Sequence, residues 1–261
     1  MNGLNMTDGE YFESIESRIL RVVIDLGLSK IEGHSAESIV EDVLRVPATY
    51  EEYAGRDAGV PARLVTLEVE VDRLHGCVEL QRFFGELVGM IEFPLSTGLT
   101  YECGDELESS VYLVLVGHYR AACALLRSFC EIVLLDTYFF FMGDDQEWKE
   151  GDVYLPSGSK IADKLFAETP AMKSRLKEHI RVLNQYVHYT SARYQDPIYR
   201  RWDPEYFARW FALFKESVTL MIATLLFRNS FRGRELPSDR VLDEYCRETW
   251  GSLLDLLKGS P

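Results

Sequence analysis

Apolar residues recur every three or four positions along most of the chain, and this spacing predicts amphipathic helices. The helix boundaries carry recognisable signals, such as the capping box of Thr7 and Glu10 and the proline at Pro170 in a first turn. No strand–helix–strand alternation is visible, so the pattern predicts an all-α helical bundle. The predicted helices cover, in order, residues 7–27, 35–46, 61–91, 107–142, 159–166, 169–187, 203–228 and 238–257.

The segment from Pro61 to Ile91 allows two interpretations. Its first part, from Val65 to Val71, alternates between apolar and polar residues as a strand does. The same segment also fits a helix, and the helical spacing continues through Phe84 and Leu87. We therefore expect a helix here.

A turn-rich loop from Phe93 to Asp105 predicts a boundary between two parts of the chain. An N-terminal helical lobe would occupy residues 1–95, and a helical bundle would occupy residues 107–261. Residues 107–142 form the most apolar predicted helix, which places that helix at the centre of the bundle. A loop dense in acidic residues follows, and Ser159 is expected to cap the next helix.

Composition and charge narrow the classes of function. The 261 residues carry a net charge of −14, so the chain as a whole is a poor duplex DNA binder, because such binding depends on many cations. No apolar run approaches the roughly 18 uncharged residues of a membrane span. The sequence therefore predicts a cytoplasmic protein without a membrane partner. Its odd number of thiols, without a CxxC pair, indicates reduced and buried cysteines. These are Cys77, Cys103, Cys123, Cys130 and Cys246.

The first candidate site is a polar row on the helix predicted at residues 169–187. Arg181 and His188 are seven positions apart and share a face, with Asn184 between them. Such an Arg could stabilise negative charge developing on a phosphodiester, and such a His could move a proton. The alternative is a solvated polar face beside the core. Basic residues that could contact phosphates follow nearby at Arg193, Arg200 and Arg201.

The second candidate is the pair of Arg127 and Glu131, four residues apart on the predicted central helix, where they can form an ion pair. Asp136 is a further polar interruption of that helix. A charge on so apolar a helix needs a partner, so we expect a buried structural ion pair. The functional alternative is that Glu131 orients His188 and raises its basicity.

Other chemistry has less support. Asp72-x-x-His75 has helical metal-ligand spacing, but a second such pair is absent, and no phosphate-cradling glycine motif occurs. The sequence therefore predicts neither a metal nor a cofactor. The aromatic stretch from Tyr194 to Phe214, with interleaved arginines, could stack on single-stranded nucleic acid, but it fits a helical core better.

Two short segments resemble motifs of the HEPN-like helical superfamily. Leu126 to Glu131 is similar to its LR-x-x-x-E helix, and Leu183 to His188 is similar to its L-x-x-x-V-H helix. The resemblance covers roughly residues 107–195. It implies either a metal-independent RNase that acts as a dimer through Arg181 and His188, or an inactive interaction module. Active members usually have a polar residue after the Arg, whereas Val182 stands here.

Two functions follow as expectations. The first is a helical interaction or regulatory protein of a prokaryotic defence or toxin-like system, with a protein partner and a homodimer as its expected assemblies. The second is a HEPN-type RNase, with catalytic candidates Arg181, His188 and Glu131 and an RNA substrate. In either case, Asn184, Arg127 and the later arginines are expected to contribute to binding.

Overall fold

The computed structural model describes residues 8–25, 28, 35–44, 62–90, 99–143, 151, 155–187 and 203–230. Within these ranges every regular element is a helix, and the all-α prediction is confirmed for this part of the chain. The helices are α1 (Asp8–Asp25), α2 (Ala36–Leu44), α3 (Ala62–Met90), α4 (Leu99–Leu115), α5 (Tyr119–Met142), α6 (Gly158–Leu165), α7 (Pro170–Val187) and α8 (Pro204–Ser230). The helix predicted at residues 238–257 lies outside the described residues.

Several helix starts follow their sequence signals. Ser35 caps α2, because its hydroxyl accepts a hydrogen bond from the Ser38 N–H at 3.1 Å. Asp203 caps α8 by accepting hydrogen bonds from the N–H groups of Glu205 and Tyr206 at 3.0 and 3.2 Å. The start of α6 differs from the prediction. Ser159 lies inside its first turn, because the Ile161 N–H already donates to the Ser157 carbonyl at 3.0 Å.

The region predicted as one helix over residues 107–142 is a helical hairpin, so that prediction is wrong. Its first helix, α4, ends at Leu115, and α5 begins at Tyr119. Gly117 has a left-handed backbone with φ of +80°, a conformation that only glycine adopts without strain. The Gly117 and His118 N–H groups close the end of α4 by donating to the carbonyls of Val114 and Leu113.

The loop predicted from Phe93 to Asp105 is also shorter than expected. Helix α4 begins at Leu99. Cys103 and Leu107 are fully buried, so the apolar stripe of α4 extends back into the turn-rich segment and stabilises helix there. The two-part division of the chain remains a prediction, and residues 91–98 lie outside the described residues.

Helix is the correct interpretation of the ambiguous segment, which forms α3. Its Leu74, Leu80 and Phe84 are buried in one apolar cluster that continues through all the other described helices. Phe84 packs edge-on against Phe129 of α5, with ring centroids 5.1 Å apart. Helix α3 therefore rests directly on the helical hairpin.

Helices α5 and α8 run parallel at the centre. Tyr119 stacks on Tyr206 near their starts, and Asp136 contacts Arg228 near their ends. Helix α7 runs antiparallel to α5, because it begins beside the Phe166–Phe227 contact at the far end. Helix α8 is long and apolar enough to cross a membrane by length and composition alone, but 67% of its apolar window is buried against other described elements.

Candidate functional site

Arg181 lies on the exposed face of α7, where 61% of its side chain is accessible. Its Nε and Nη2 atoms donate hydrogen bonds to the two carboxylate oxygens of Glu178 at 2.7 and 2.6 Å. The hydrogen bond from Arg181 lowers the pKa of Glu178, so the carboxylate stays charged. One bidentate edge of the guanidinium, formed by Nε and Nη2, is therefore occupied by a carboxylate of the same helix.

Arg181 belongs to a shallow depression of about 530 Å³ between α6 and α7. Lys177, in the same depression, donates to both carboxylate oxygens of Asp163 at 3.0 and 2.9 Å. Two of the three cations in the lining therefore have carboxylate partners. The lining consists of Ser159, Lys173, Ser174, Lys177, Glu178 and Arg181.

Arg127 and Glu131 form the predicted ion pair, with Arg127 Nη2 donating to Glu131 Oε1 at 2.8 Å. The pair is not buried, because 25% of the Arg127 side chain and 39% of the Glu131 side chain are accessible. The expectation of a buried pair at this position is therefore wrong. Helix α5 turns this face toward the α6 segment, where Glu131 lines a second depression of about 220 Å³.

The start of α6 separates the two depressions. Ser157 and Gly158 line the one that holds Glu131, whereas Ser159 lines the one that holds Arg181. A Cβ at Gly158 would lie 3.2 Å from Ile180 of α7 and 3.9 Å from Leu134 of α5, so this segment packs tightly against both helices. Arg181 and Glu131 therefore do not share one depression.

The remaining candidates divide into two groups. The Asn184 side chain is half-buried, and its Oδ1 atom has no hydrogen-bond partner among the described residues. His188, Arg193, Arg200 and Arg201 lie outside the described residues. Their roles stay predictions from the sequence.

The structure contains a buried polar network that the sequence did not predict. His179 of α7 is only 5% exposed, and its Nε2 atom lies 2.7 Å from the Ser217 hydroxyl of α8. Ser217 also hydrogen-bonds with the Cys130 thiol of α5, so the three residues join three helices. Burial lowers the pKa of His179 to about 4, and the imidazole is therefore neutral at pH 7.

This serine–histidine pair has the spacing of a nucleophile and its base. Ser217 is fully buried, however, and an ion pair packs beside it: Arg175 donates to both oxygens of Glu216, one of them at 2.6 Å. Nothing in this geometry exposes the hydroxyl to a substrate. The network instead satisfies polar groups inside the bundle.

A second missed feature is the buried ion pair of the core. Arg228 of α8 donates to Asp136 of α5 at 2.7 Å, and the two side chains are 2% and 0% exposed. The Arg228 guanidinium also lies 4.4 Å from the centroid of the Phe140 ring, within cation–π range. The structural ion pair expected on the most apolar helix exists, but it involves Asp136 instead of Glu131.

Replacing Arg127 with alanine should therefore cost no more than about 1 kcal/mol of unfolding free energy, because half-exposed ion pairs contribute little. The measurement is urea unfolding followed by circular dichroism. The matched control is Arg82→Ala, which breaks an exposed i,i+4 contact with Glu86 on α3. A loss of several kcal/mol in Arg127→Ala would show that the pair is a core element after all.

The described part of the aromatic stretch belongs to the core. Phe207, Trp210 and Phe214 are buried, and the Trp210 indole N–H donates to the Ser110 hydroxyl at 3.0 Å. The half-exposed Tyr206 stacks with Tyr119 at a centroid distance of 5.6 Å, and the Arg209 guanidinium lies 5.4 Å from its ring centroid. These aromatic rings therefore contact the rest of the bundle, which favours the core interpretation.

The described residues thus define an all-α protein with a charged depression between two helices and a sealed polar network behind it. Comparisons with protein-family models, with curated proteins and with solved structures find no match for this chain. Among the described side chains, no three His, Cys, Asp or Glu residues are grouped as metal ligands.

Proposed function

We propose that this chain is a helical interaction or regulatory protein of a prokaryotic defence or toxin-like system. The proposal rests on the two hydrogen bonds that Arg181 donates to the Glu178 carboxylate. An arginine that stabilises a phosphorane must present its donors to developing negative charge. Here a carboxylate occupies the Nε–Nη2 edge and offsets the charge of the guanidinium, which favours a binding surface over a catalytic one.

The exposed charged residues of α7 resemble those at the polar rim of a protein–protein interface. Lys177 and Arg181 are both paired with carboxylates, so the surface presents alternating charges of both signs. Mixed charges of this kind give specificity and orientation to protein partners more than raw affinity. A protein partner, or a second copy of the chain, fits this surface. The defence or toxin-like setting rests on the HEPN-like resemblance alone.

The alternative is a metal-independent RNase that uses Arg181 and His188. The observation in its favour is the exposure of Arg181 beside a depression. The seven-residue spacing from Arg181 to His188 stays a prediction from the sequence. In that mechanism Arg181 would contact the phosphodiester through its remaining donors or in exchange for Glu178. Two copies of the chain would be needed, because one histidine cannot both remove and donate a proton at one phosphate.

An RNA-cleavage assay separates the two functions. Wild type and His188→Ala are incubated with several single-stranded and structured RNAs in the presence of a chelator. The interaction proposal expects no cleavage from either protein. Chelator-resistant cleavage that His188→Ala reduces by about 10²–10⁴-fold, the usual effect of losing a general base, would establish the RNase instead.

The interaction itself is tested by comparing tagged proteins in the native host. Arg181→Glu should lose the partners that wild type retains, because it places two like charges side by side on α7. Arg82→Glu, a charge reversal at an exposed ion pair of α3, should keep those partners. Equal partner recovery by wild type and Arg181→Glu, with both proteins folded, would remove this face of α7 from the interface.

A further inference from the structure

We infer that the depression between α6 and α7 binds the phosphate group of a nucleotide-sized phosphate monoester. Three cations line it at successive turns of α7: Lys173, Lys177 and Arg181. Positions i, i+4 and i+8 of a helix fall on one face, so the three side chains point toward the same volume. In a chain with a net charge of −14, such a local cluster of cations is a marked departure from the average surface.

Neutral donors complete the lining. Ser159 and Ser174 contribute hydroxyl groups from α6 and α7 respectively.

A ligand of this depression must compete with carboxylates that already pair with two of its cations. Asp163 and Glu178 already engage Lys177 and Arg181. Lys173 has no ion pair or side-chain hydrogen bond within the described part of the chain, so its ammonium is available to a ligand. Because the local carboxylates offset two of the three cations, a ligand must compete with them. A phosphate monoester, with nearly two charges and three acceptor oxygens, competes better than a carboxylate does.

The size of the depression sets the size of the ligand. About 530 Å³ lies within the range of small-molecule sites, which is roughly 300–1,000 Å³, and it exceeds what one phosphate ion would fill. A nucleotide, free or at the end of an RNA strand, matches this volume. Neither the interaction role nor RNA cleavage is required for this site, so it can be tested separately from both.

The test measures binding to the full chain by isothermal titration calorimetry in low salt. AMP should bind to wild type, and adenosine at the same concentration should not, because the phosphate carries the recognition. The double variant Lys173→Gln with Lys177→Gln should bind AMP at least tenfold more weakly. Lys160→Gln, which changes an exposed lysine of α6 outside the lining, should bind AMP as wild type does.

Further arms identify the source of the phosphate. A tetranucleotide RNA with a 5′-phosphate is compared with the same RNA bearing a 5′-hydroxyl. Binding of the phosphorylated RNA but not of AMP assigns the site to RNA ends, and the reverse result assigns it to free nucleotides; either result supports the site. Three results would overturn it: no binding of any phosphorylated probe at millimolar concentration, equal binding of adenosine, or undiminished binding by the folded double variant.

Discussion

Replacing Arg228 with alanine is expected to lower the free energy of unfolding by about 3–5 kcal/mol. Asp136 is fully buried, and the substitution would remove its guanidinium partner while leaving its charge inside the bundle. The cation–π contact with Phe140 would be lost as well. A domain of this kind has a total stability of only about 5–15 kcal/mol, so leaving Asp136 unpaired would remove a large fraction of that stability.

The measurement is urea unfolding followed by circular dichroism, with two controls. Arg228→Met combined with Asp136→Leu leaves no charge in the core and should be clearly more stable than Arg228→Ala alone. Arg82→Ala breaks an exposed contact with Glu86 and should cost about 1 kcal/mol or less. If the unfolding midpoint of Arg228→Ala coincided with that of wild type, the pair would not be a structural element of the core.

The second large effect is expected from acid. Burial lowers the pKa of His179 to about 4 from an ordinary value of 6.5, so the folded protein favours the neutral imidazole. The unfolded chain therefore binds this proton first, and the contribution of His179 to stability is complete above pH 6.5 and declines as the pH falls toward 4. The difference between these two pKa values corresponds to at most about 3 kcal/mol.

Carboxylates also titrate in acid, so the effect of His179 is isolated by comparison with variants. His179→Gln can keep a hydrogen bond to Ser217 but has no proton to gain, and its stability should fall less than that of wild type between pH 7 and pH 4. Ser217→Ala keeps the buried imidazole and should retain the steeper wild-type dependence, because burial is the main cause of the low pKa. Identical pH profiles for wild type and His179→Gln would contradict the assignment.

The helices were predictable because burial of one face imposes a repeat of 3.6 residues on the sequence. The break at Gly117 was not predictable, because the apolar stripes on its two sides join without a visible change of phase. A single residue with positive φ reverses the chain there, and one glycine within an apolar run does not by itself indicate the end of a helix. The same apolar repeat extended α4 into a segment rich in turn formers.

The pairing of charges shows a similar limit. Arg127 and Glu131 are four residues apart, so their contact follows from helix geometry, but their exposure depends on which helices cover them. Asp136 and Arg228 are separated by 92 positions, and only the parallel packing of α5 and α8 brings them together. His179 and Ser217 are 38 positions apart and were likewise unrelated in the sequence. Local spacing predicts local contacts, whereas burial is decided by tertiary packing.

The buried thiols can report how often the helices around them separate. Cys77, Cys103, Cys123 and Cys130 are buried as thiols, and burial raises the pKa of Cys130 to about 12. Only the thiolate reacts with alkylating reagents, so these residues are protected while the helices stay packed. The rate at which each cysteine is labelled then reports how often the helices around it separate, residue by residue, under native conditions.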